Sequence, residues 1–245
     1  MKILVLSSNV PDTTTKIRFT GDNTAFDDAG VQWIINPWDE LALTRAVELK
    51  EAGAVEKITV ANVGTKATEP TLRKALAVGA DDAIRIDAEA KDAFFVATQL
   101  AEVAKDYDIV LAGIEASDYN GAAVGGMLAE ILNFNSVSSI SGIQIENGEL
   151  TLNRDIDGGH QTIGIATPLV AIVQKGIAKE PRIPAMRGIM MARKKPLTVV
   201  PPIEATEKTA FVGFEPPAPK AACKMIEEEN AKELITLLHE EAKVL

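Results

Sequence analysis

The chain of 245 residues is long enough to bury a sizeable core in one large or two small domains. Its formal net charge of -10 argues against a general affinity for nucleic acid, because the neutralisation of phosphates requires an excess of Lys and Arg. Its single cysteine, Cys223, excludes an internal disulfide and a multi-cysteine metal site.

The N-terminus and the apolar runs of the chain bear on where the protein works. Only the short apolar run 3–6 follows Met1 and Lys2, and it is too short for the core of a signal peptide. No stretch approaches the roughly 20 apolar residues that a membrane-spanning helix requires. We therefore expect a soluble, cytoplasmic protein without a membrane span.

The first half of the sequence alternates short β-branched runs with helical patterns. The runs predict buried parallel strands over residues 2–7, 58–61, 82–86 and 108–112. The helical patterns cover residues 37–52, 67–78, 92–105 and 122–132. Strands and helices that alternate at this spacing favour right-handed crossovers and a parallel sheet flanked by helices on both faces. The predicted fold class is α/β.

The pattern changes after Ser136. Asn147-Gly148 lies between the segments 143–146 and 150–154, and it predicts an added β-hairpin because both turn positions favour positive φ. Further strands are predicted over 162–166 and 169–173.

The C-terminal segment differs in composition from the rest. Prolines without periodicity beyond Pro196 predict an extended arm that is either disordered or laid over a partner. We therefore divide the chain into an α/β domain at 1–195 and an arm with a final helix at 196–245. The helix is predicted over 224–244. Its narrow apolar stripe comprises Ala231, Leu234, Ile235, Leu238, Ala242 and Leu245. The stripe packs either on its own domain or on another subunit.

The sequence carries no catalytic constellation. No G-x-G-x-x-G follows a predicted strand, and neither a G-x-x-x-x-G-K-[ST] loop nor a G-x-S-x-G elbow is present. An isolated histidine such as His160 is more often a surface or packing residue than a base. We therefore expect no catalytic acid, base, nucleophile or metal site in this chain.

The carboxyl edge of the predicted sheet is a candidate ligand site. Loops 7–9, 62–64 and 113–121 each follow a predicted strand, and ligands of open parallel sheets bind at that edge. The small residues of 121–126 would let backbone amides approach a phosphate at the positive end of a helix dipole. Such residues also serve tight helix–sheet packing, so spacing alone leaves both interpretations open.

A basic segment at 175–195 contrasts with the acidic chain. It contains one acid, Glu180, and the cations Lys175, Lys179, Arg182, Arg187, Arg193, Lys194 and Lys195. The last three suit the C-terminal end of a helix, which favours cations. The loop before that helix places Met186 among basic residues, which suits an interface anchor with a charged rim. Aromatic residues typical of a nucleic-acid surface are missing from the segment.

Three separated motifs at 36–43 (NPWDELAL), 113–132 and 153–196 follow one another along the chain. Together they resemble the electron-transfer flavoprotein β-subunit family over nearly the whole sequence. The resemblance implies an adenine-nucleotide-binding fold and the small subunit of a heterodimer, with the arm packed on the α subunit. It further implies an electron carrier rather than an enzyme, in which FAD held mainly by the α subunit passes electrons from acyl-CoA-dehydrogenase-type flavoproteins to an acceptor.

The resemblance also implies two groups of site residues. A structural AMP would be bound by Leu6, Asn36, Pro37, Trp38, Asp39, Val63, Asp118, Asn120, Gly121, Ala122, Ala123, Val124, Gly125 and Met127. The loop that docks partner dehydrogenases would comprise Arg182, Ile183, Pro184, Ala185, Met186 and Arg187, with Met186 at the family's anchoring leucine. In flavin-bifurcating members the AMP pocket holds a second FAD, which is one alternative for this chain.

The chain departs from the family pattern at two places. Ala123-Val124 stands where Gln-Thr is common, so phosphate contacts would come mainly from backbone amides. Gln161 replaces a glutamate that the family often carries near the flavin domain. The alternative from another class is a stand-alone ATP-binding or ATP-hydrolysing α/β domain. It is disfavoured because the loop at 7–10 lacks the glycines of a pyrophosphate loop.

Overall fold

The computed structural model describes residues 1–146, 148–220 and 222–245. Its strands are β1 (Lys2–Leu6), β2 (Asn9–Pro11), β3 (Trp33–Ile35), β4 (Lys57–Val63), β5 (Asp82–Ile86), β6 (Ile109–Gly113), β7 (Asn135–Glu146), β8 (Glu149–Ile156), β9 (Gly159–Gly164), β10 (Leu169–Val173) and β11 (Leu197–Val200). Its α-helices are α1 (Pro37–Glu51), α2 (Glu69–Val78), α3 (Ala93–Ala104), α4 (Val124–Leu132), α5 (Met186–Ala192) and α6 (Ala231–Glu240).

One sheet organises the molecule, in the order β11-β5-β4-β1-β6-β10-β7-β8-β9. All neighbouring strands from β11 to β7 pair in parallel, and β8 and β9 continue the sheet by antiparallel pairing. β2 and β3 form a separate antiparallel pair. The structure thereby confirms the predicted α/β class, with helices on both faces of a mostly parallel sheet.

Burial of both sheet faces explains why the strands have continuous apolar sequences. In β1, Ile3 and Val5 face the core that contains α1 and α2, whereas Leu4 and Leu6 face the core that contains α3 and α4. Each of these four side chains is at most 6% exposed. A strand covered on both sides has no solvent face, so it loses the apolar–polar alternation of a half-buried strand.

The predicted hairpin is present as β7 and β8, which pair from Glu146 and Glu149 at the turn to Ile140 and Arg154. Asn147, half of the predicted turn dipeptide, lies outside the described residues, and Gly148 has φ 84. β7 begins eight residues before the predicted 143–146 run, at Asn135, and β9 covers 159–164 where we predicted 162–166.

The arm beyond Pro196 begins with regular structure that the sequence does not predict. Leu197–Val200 forms β11, which extends the sheet by parallel pairing with β5. Next, the side-chain amide of Gln99 donates to the carbonyl oxygen of Ile203 (2.8 Å) and accepts from its N–H (2.9 Å). Gln99 is 1% exposed. The start of the arm therefore packs on its own domain.

The final helix is shorter than predicted. α6 covers 231–240 and follows a short 3₁₀ turn at 228–230, whereas the sequence pattern predicts a helix over 224–244. No residue of α6 is buried, and Ile235 of its apolar stripe is 62% exposed. In the described part of the chain, no helix has the length and apolar character needed to cross a membrane.

Candidate functional site

The strand order reverses its direction of growth next to β1. From β1 the chain builds outward to β4 and β5, and it then returns to place β6 on the opposite side of β1. In open α/β sheets, the crevice beyond the carboxyl ends of two such strands is the usual ligand site. Here the loops at 7–8 and 114–123 border the switch-point crevice, and the N-terminus of α1 lies across it.

Asp39, in the first turn of α1, bridges the two sides of this crevice. One carboxylate oxygen accepts from the N–H of Ser8 (2.7 Å) and the other from the N–H of Gly113 (3.0 Å). The contact requires glycine at 113, because a Cβ there would lie 2.4 Å from Asp39 Oδ1. Asp39 is 4% exposed. Its burial raises its pKa to about 6, although the hydrogen bonds it accepts oppose this shift.

The raised pKa of Asp39 predicts how the free energy of unfolding depends on pH. The folded state holds this proton more tightly than the unfolded state, so the stabilisation is fully present below about pH 4 and is lost as pH rises through about 6. The upper limit of the change is about 3 kcal/mol. Urea unfolding between pH 4 and 7 should show the wild-type chain losing stability relative to Asp39→Asn as pH rises.

A control with the opposite sign is available at Asp92. The pKa of this carboxyl is lowered, mainly by the N–H of Phe95, so its contribution is lost as pH falls. When the series is extended below pH 4, the wild-type chain should lose stability relative to Asp92→Asn as pH falls, which is the direction opposite to that of Asp39→Asn. If the wild-type chain instead gains stability relative to Asp39→Asn as pH rises from 4 to 7, the assignment is contradicted.

Asn36 holds the loop after β6 in place. It occupies the N-cap position of α1 before Pro37, but its side chain makes no capping hydrogen bond. Instead, Nδ2 donates to the carbonyl oxygen of Glu115 (2.8 Å) and Oδ1 accepts from the N–H of Ser117 (3.1 Å). The sequence did not predict either partner, because both are backbone groups and no residue type marks them.

Several other predicted nucleotide contacts lie around this crevice with different accessibility. Leu6 and Val63 end their strands with side chains in the core, 6% and 7% exposed, so their backbones are the groups that could face a ligand. Pro37 and Trp38 are half-buried at the start of α1. Asp118 and Asn120 are exposed on the loop after β6.

The chain between β6 and α4 orients a set of backbone N–H groups. Asn120 and Ala122 adopt positive φ (52° and 48°), an uncommon conformation for alanine, and Ala123 returns to the right-handed region. Adjacent residues in the left- and right-handed regions make successive N–H groups converge, and this arrangement favours the binding of an anion. Ala123 is the N-cap of α4 and has no side chain that could cap it.

The first turn of α4 leaves its amides available. Among the described residues, no backbone or side-chain acceptor is paired with the N–H groups of 124–126, whereas Met127 N–H donates to the carbonyl of Ala123 (3.0 Å). These amides lie at the N-terminus of α4, the positive end of the helix dipole, where phosphate binds readily. The arrangement can bind an anion without polar side chains at Ala123 and Val124.

The glycines at this helix start separate the packing role from the binding role. A Cβ at Gly125 would lie 2.8 Å from Ile172 and 3.4 Å from Ala112, so this glycine serves helix–sheet packing. Gly126 has open space around it, and Gly121 meets only Tyr119 at 3.7 Å. Packing therefore explains Gly125. Gly121, Gly126 and the neighbouring Met127 are exposed at the crevice.

The predicted docking loop divides into an anchored part and an exposed part. Arg182 pairs with Glu51 through two hydrogen bonds (2.9 and 2.7 Å), and its N–H donates to Thr44 Oγ1 (3.0 Å). Arg182 therefore fastens the loop to α1. Ile183 and Met186, by contrast, are 88% and 74% exposed.

Exposed apolar side chains continue from the loop into α5. We call Ile183, Met186, Ile189, Met190 and Met191 the docking patch; each is at least 42% exposed. The exposed cations Arg187, Arg193 and Lys194 lie within or directly after the same helix. Pro184 and Ala185 connect Ile183 to the helix. An apolar centre with a charged rim is the usual composition of a protein-binding surface.

The other residues singled out from the sequence lie apart from both sites. His160 Nδ1 is 2.7 Å from Asp155, which also accepts from Ser141 and Gln174 at the β8–β9 end of the sheet. Gln161 is exposed beside it and pairs with Arg154 across the strands. Cys223 is exposed in the arm.

Fold and edge geometry define an open α/β protein with a crevice at its switch point, and comparison with known proteins gives the family. The electron transfer flavoprotein domain matches residues 23–205. Proteins named electron transfer flavoprotein subunit beta are 37% identical in Syntrophomonas wolfei subsp. wolfei (94% of this chain, 91% of that protein) and 35% identical in Bacillus subtilis (100% of each). The human protein of that name is 31% identical over 100% of this chain and 99% of its own length. The chain belongs to the electron transfer flavoprotein β-subunit family.

Proposed function

We propose that this chain is the electron-carrier small subunit of a cytoplasmic αβ heterodimer that transfers electrons from acyl-CoA-dehydrogenase-type flavoproteins to an acceptor. The observation that carries the proposal is the docking patch, a solvent-exposed apolar surface with a cationic rim in a chain of net charge -10. An apolar patch of this kind is typical of a site for another protein. Its cationic rim would attract an acidic partner and speed the encounter.

The redox chemistry in this proposal belongs to FAD bound mainly by the α subunit, which accepts and donates electrons when bound. The residues of this chain bind and orient. The docking patch holds the partner dehydrogenase, while the sheet provides the scaffold on which the patch is mounted. No catalytic acid, base or nucleophile from this chain is required.

A structural AMP is the ligand that we propose for the switch-point crevice. The open amides at 124–126 suit one terminal phosphate, and Gly126 leaves room for its approach. Asn36 and Asp39 would act indirectly, because their side-chain atoms already hold the loops at 113–117 and Ser8. In the bifurcating alternative, a second FAD would fill the same crevice.

A stand-alone ATP-hydrolysing domain is less consistent with the first loop. The carbonyl oxygen of Ser7 accepts from Asn62 Nδ2 (2.7 Å), and the N–H of Ser8 donates to Asp39. Those groups are used within the protein, so the loop after β1 has no free backbone amide at Ser8 with which to bind a pyrophosphate.

Cofactor content of the isolated chain and of the heterodimer tests the proposed function. We expect the chain expressed alone to carry no stoichiometric flavin, and the heterodimer to carry one FAD and one AMP. The measurement is flavin absorbance together with chromatography of the released nucleotides. Two FAD per heterodimer would support the bifurcating alternative, and a yellow, reducible chain with one flavin per monomer would sink the proposal.

A further inference from the structure

α5 packs unusually closely on α2. Gly188 faces the carbonyl of Ala77, and a Cβ at this position would lie 2.4 Å from that oxygen. Ala192, one helical turn later, is 3% exposed on the same side. Only a residue without a side chain permits this approach at 188. The contact turns one face of α5 toward α2 and leaves the docking patch on the outer faces.

Two cations form reciprocal hydrogen bonds between the ends of these helices. Arg73, on α2, donates to the carbonyl oxygens of Ala192 (2.9 Å) and Lys195 (2.8 Å). Lys195, after α5, donates to the carbonyl oxygens of Leu76 (2.9 Å) and Ala80 (2.5 Å). The last carbonyls of a helix lack intrahelical partners. Each helix thus has its C-terminal carbonyls satisfied by a cation from the other segment.

These reciprocal hydrogen bonds change the interpretation of the basic residues 193–195. The sequence suggests that all three cations favour the C-terminal end of their own helix. Lys195 instead serves the C-terminal end of α2, and Arg73 serves α5. Arg193 and Lys194 are exposed. The three consecutive cations therefore have two different roles, one structural and one at the rim of the docking patch.

We propose that Gly188, Arg73 and Lys195 are positioning residues that hold α5 in the orientation required for partner docking. This inference rests on the proposed docking function. An apolar surface that is already held in its bound orientation loses less conformational freedom when a partner binds. The close contact at Gly188 fixes the distance between the helices, and the reciprocal cations fix the ends of α5.

The test uses the αβ heterodimer carrying Gly188→Ala. We expect its KM, measured as electron acceptor for an acyl-CoA dehydrogenase reduced by its acyl-CoA substrate, to rise about tenfold at unchanged kcat, a part of the loss expected when an anchor is truncated. Hydrogen exchange of amides 189–192 should accelerate. Alanine is the stronger helix former, so without the Ala77 contact the substitution would slow this exchange. Gly164→Ala is the matched control, because the space around Gly164 is open.

A second pair of variants keeps the backbone of α5 unchanged. Lys195→Met and Arg73→Gln each remove the donor from one side of the reciprocal hydrogen bonding. Both should accelerate amide hydrogen exchange at α5 and raise KM. Lys194→Met and Arg193→Gln remove neighbouring exposed cations, so they should leave exchange at α5 unchanged. These variants decide the question if Gly188→Ala prevents folding.

Met186→Ala, measured in parallel, separates the two levels of the proposal. If Met186→Ala raises KM while the Gly188, Arg73 and Lys195 variants alter neither KM nor exchange, the positioning role is overturned and docking stands. If exchange accelerates but no variant, including Met186→Ala, changes KM, the docking function itself fails and the positioning role fails with it.

Discussion

Met186→Ala combined with Arg187→Glu should raise the KM of the heterodimer for its partner dehydrogenase about 30-fold or more. A desolvated apolar anchor at the centre of an interface is typically worth about 2 kcal/mol, which corresponds to this factor. Met186 suits that role because it is 74% exposed at the start of α5. The FAD and AMP contents should stay unchanged, since neither residue borders the switch-point crevice.

The charge reversal at Arg187 adds a kinetic signature. A cation at the rim of an interface accelerates encounter with an acidic partner, and salt screens that attraction beyond about 10 Å at 0.1 M. The variant should therefore differ most from wild type at low ionic strength. Arg187 is the appropriate rim cation to change. A substitution at Arg182 would also alter the fold locally, because the hydrogen bonds of this residue to Glu51 hold the loop against α1.

A matched control is Val199→Ala with Lys16→Glu, which truncates an exposed apolar side chain and reverses an exposed cation, both outside the docking patch and its cationic rim. Reductase assays over a range of partner concentrations compare the two double variants. If the loop were only a structural connection, the Met186 variant would lose thermal stability and keep wild-type kinetics at every partner concentration, which would reject the docking role.

Elements with a local cause were predictable from the sequence. The continuous apolar run of β1 is visible in adjacent residues, and Pro37 has a fixed φ that suits the start of α1. β5 has the predicted bounds, 82–86, for the same reason. The hairpin followed from Asn147-Gly148, whose preference for positive φ is a property of the two residues themselves.

β11 was not predictable because its cause lies far away in the chain. Leu197–Val200 is a four-residue run between Pro196 and Pro201, and in isolation it suggests extended linker. It becomes a strand because β5, more than a hundred residues earlier, offers an unpaired edge. The buried Gln99 then fixes the next segment by two hydrogen bonds to Ile203, across 104 positions.

The same distinction applies to the candidate site. The Asn36–Asp39 motif stood out in the sequence, but its side chains act on partners 31 to 81 positions away, namely Ser8, Gly113, Glu115 and Ser117. Asn before Pro is a common helix-cap sequence, whereas in the structure the amide of Asn36 holds a loop. The roles of Gly125 and Gly126 likewise separated only when Ile172 was placed against one of them.

These long-range contacts move the proposed boundary of the partner-binding arm from 196 to about residue 215. Phe214 stacks on Phe19 (4.8 Å between ring centroids), and its N–H donates to the carbonyl of Asn23 (2.8 Å). The arm up to this residue therefore packs on its own domain. Beyond it, Met225 is 85% exposed and Ile235 62% exposed, so this part has apolar surface available for the α subunit.

Deletion of residues 216–245 should weaken the heterodimer by roughly a hundredfold in Kd and leave the isolated domain folded. Leu234 and Ile235 are 45% and 62% exposed on α6. Burying what remains exposed of these two side chains and of Met225 would contribute about 3 kcal/mol. Size-exclusion chromatography with the α subunit at decreasing concentration measures the loss.

Deletion of residues 197–245 should do something different, because it also removes β11 and strips Gln99 of both partners. Loss of the apolar burial of Leu197 and Val200, which pack against the two cores, costs about 1–3 kcal/mol, so the melting temperature of the isolated chain should fall by on the order of 5 °C or more. The shorter deletion should leave that temperature near the wild-type value. Comparing the two deletions separates the contribution of the arm to its own domain from its contribution to the heterodimer.

Leu234→Ser with Ile235→Ser tests the same surface without shortening the chain, and Lys232→Ser with Glu240→Ser is the matched control on the polar face of α6. We expect only the first pair to weaken the heterodimer, since the apolar stripe is the part of α6 that gains from leaving water. If the 216–245 deletion still co-elutes with the α subunit as the wild type does, the exposed stripe has another partner. If that deletion also lowers the melting temperature of the isolated chain as much as the longer one, α6 stabilises its own domain instead.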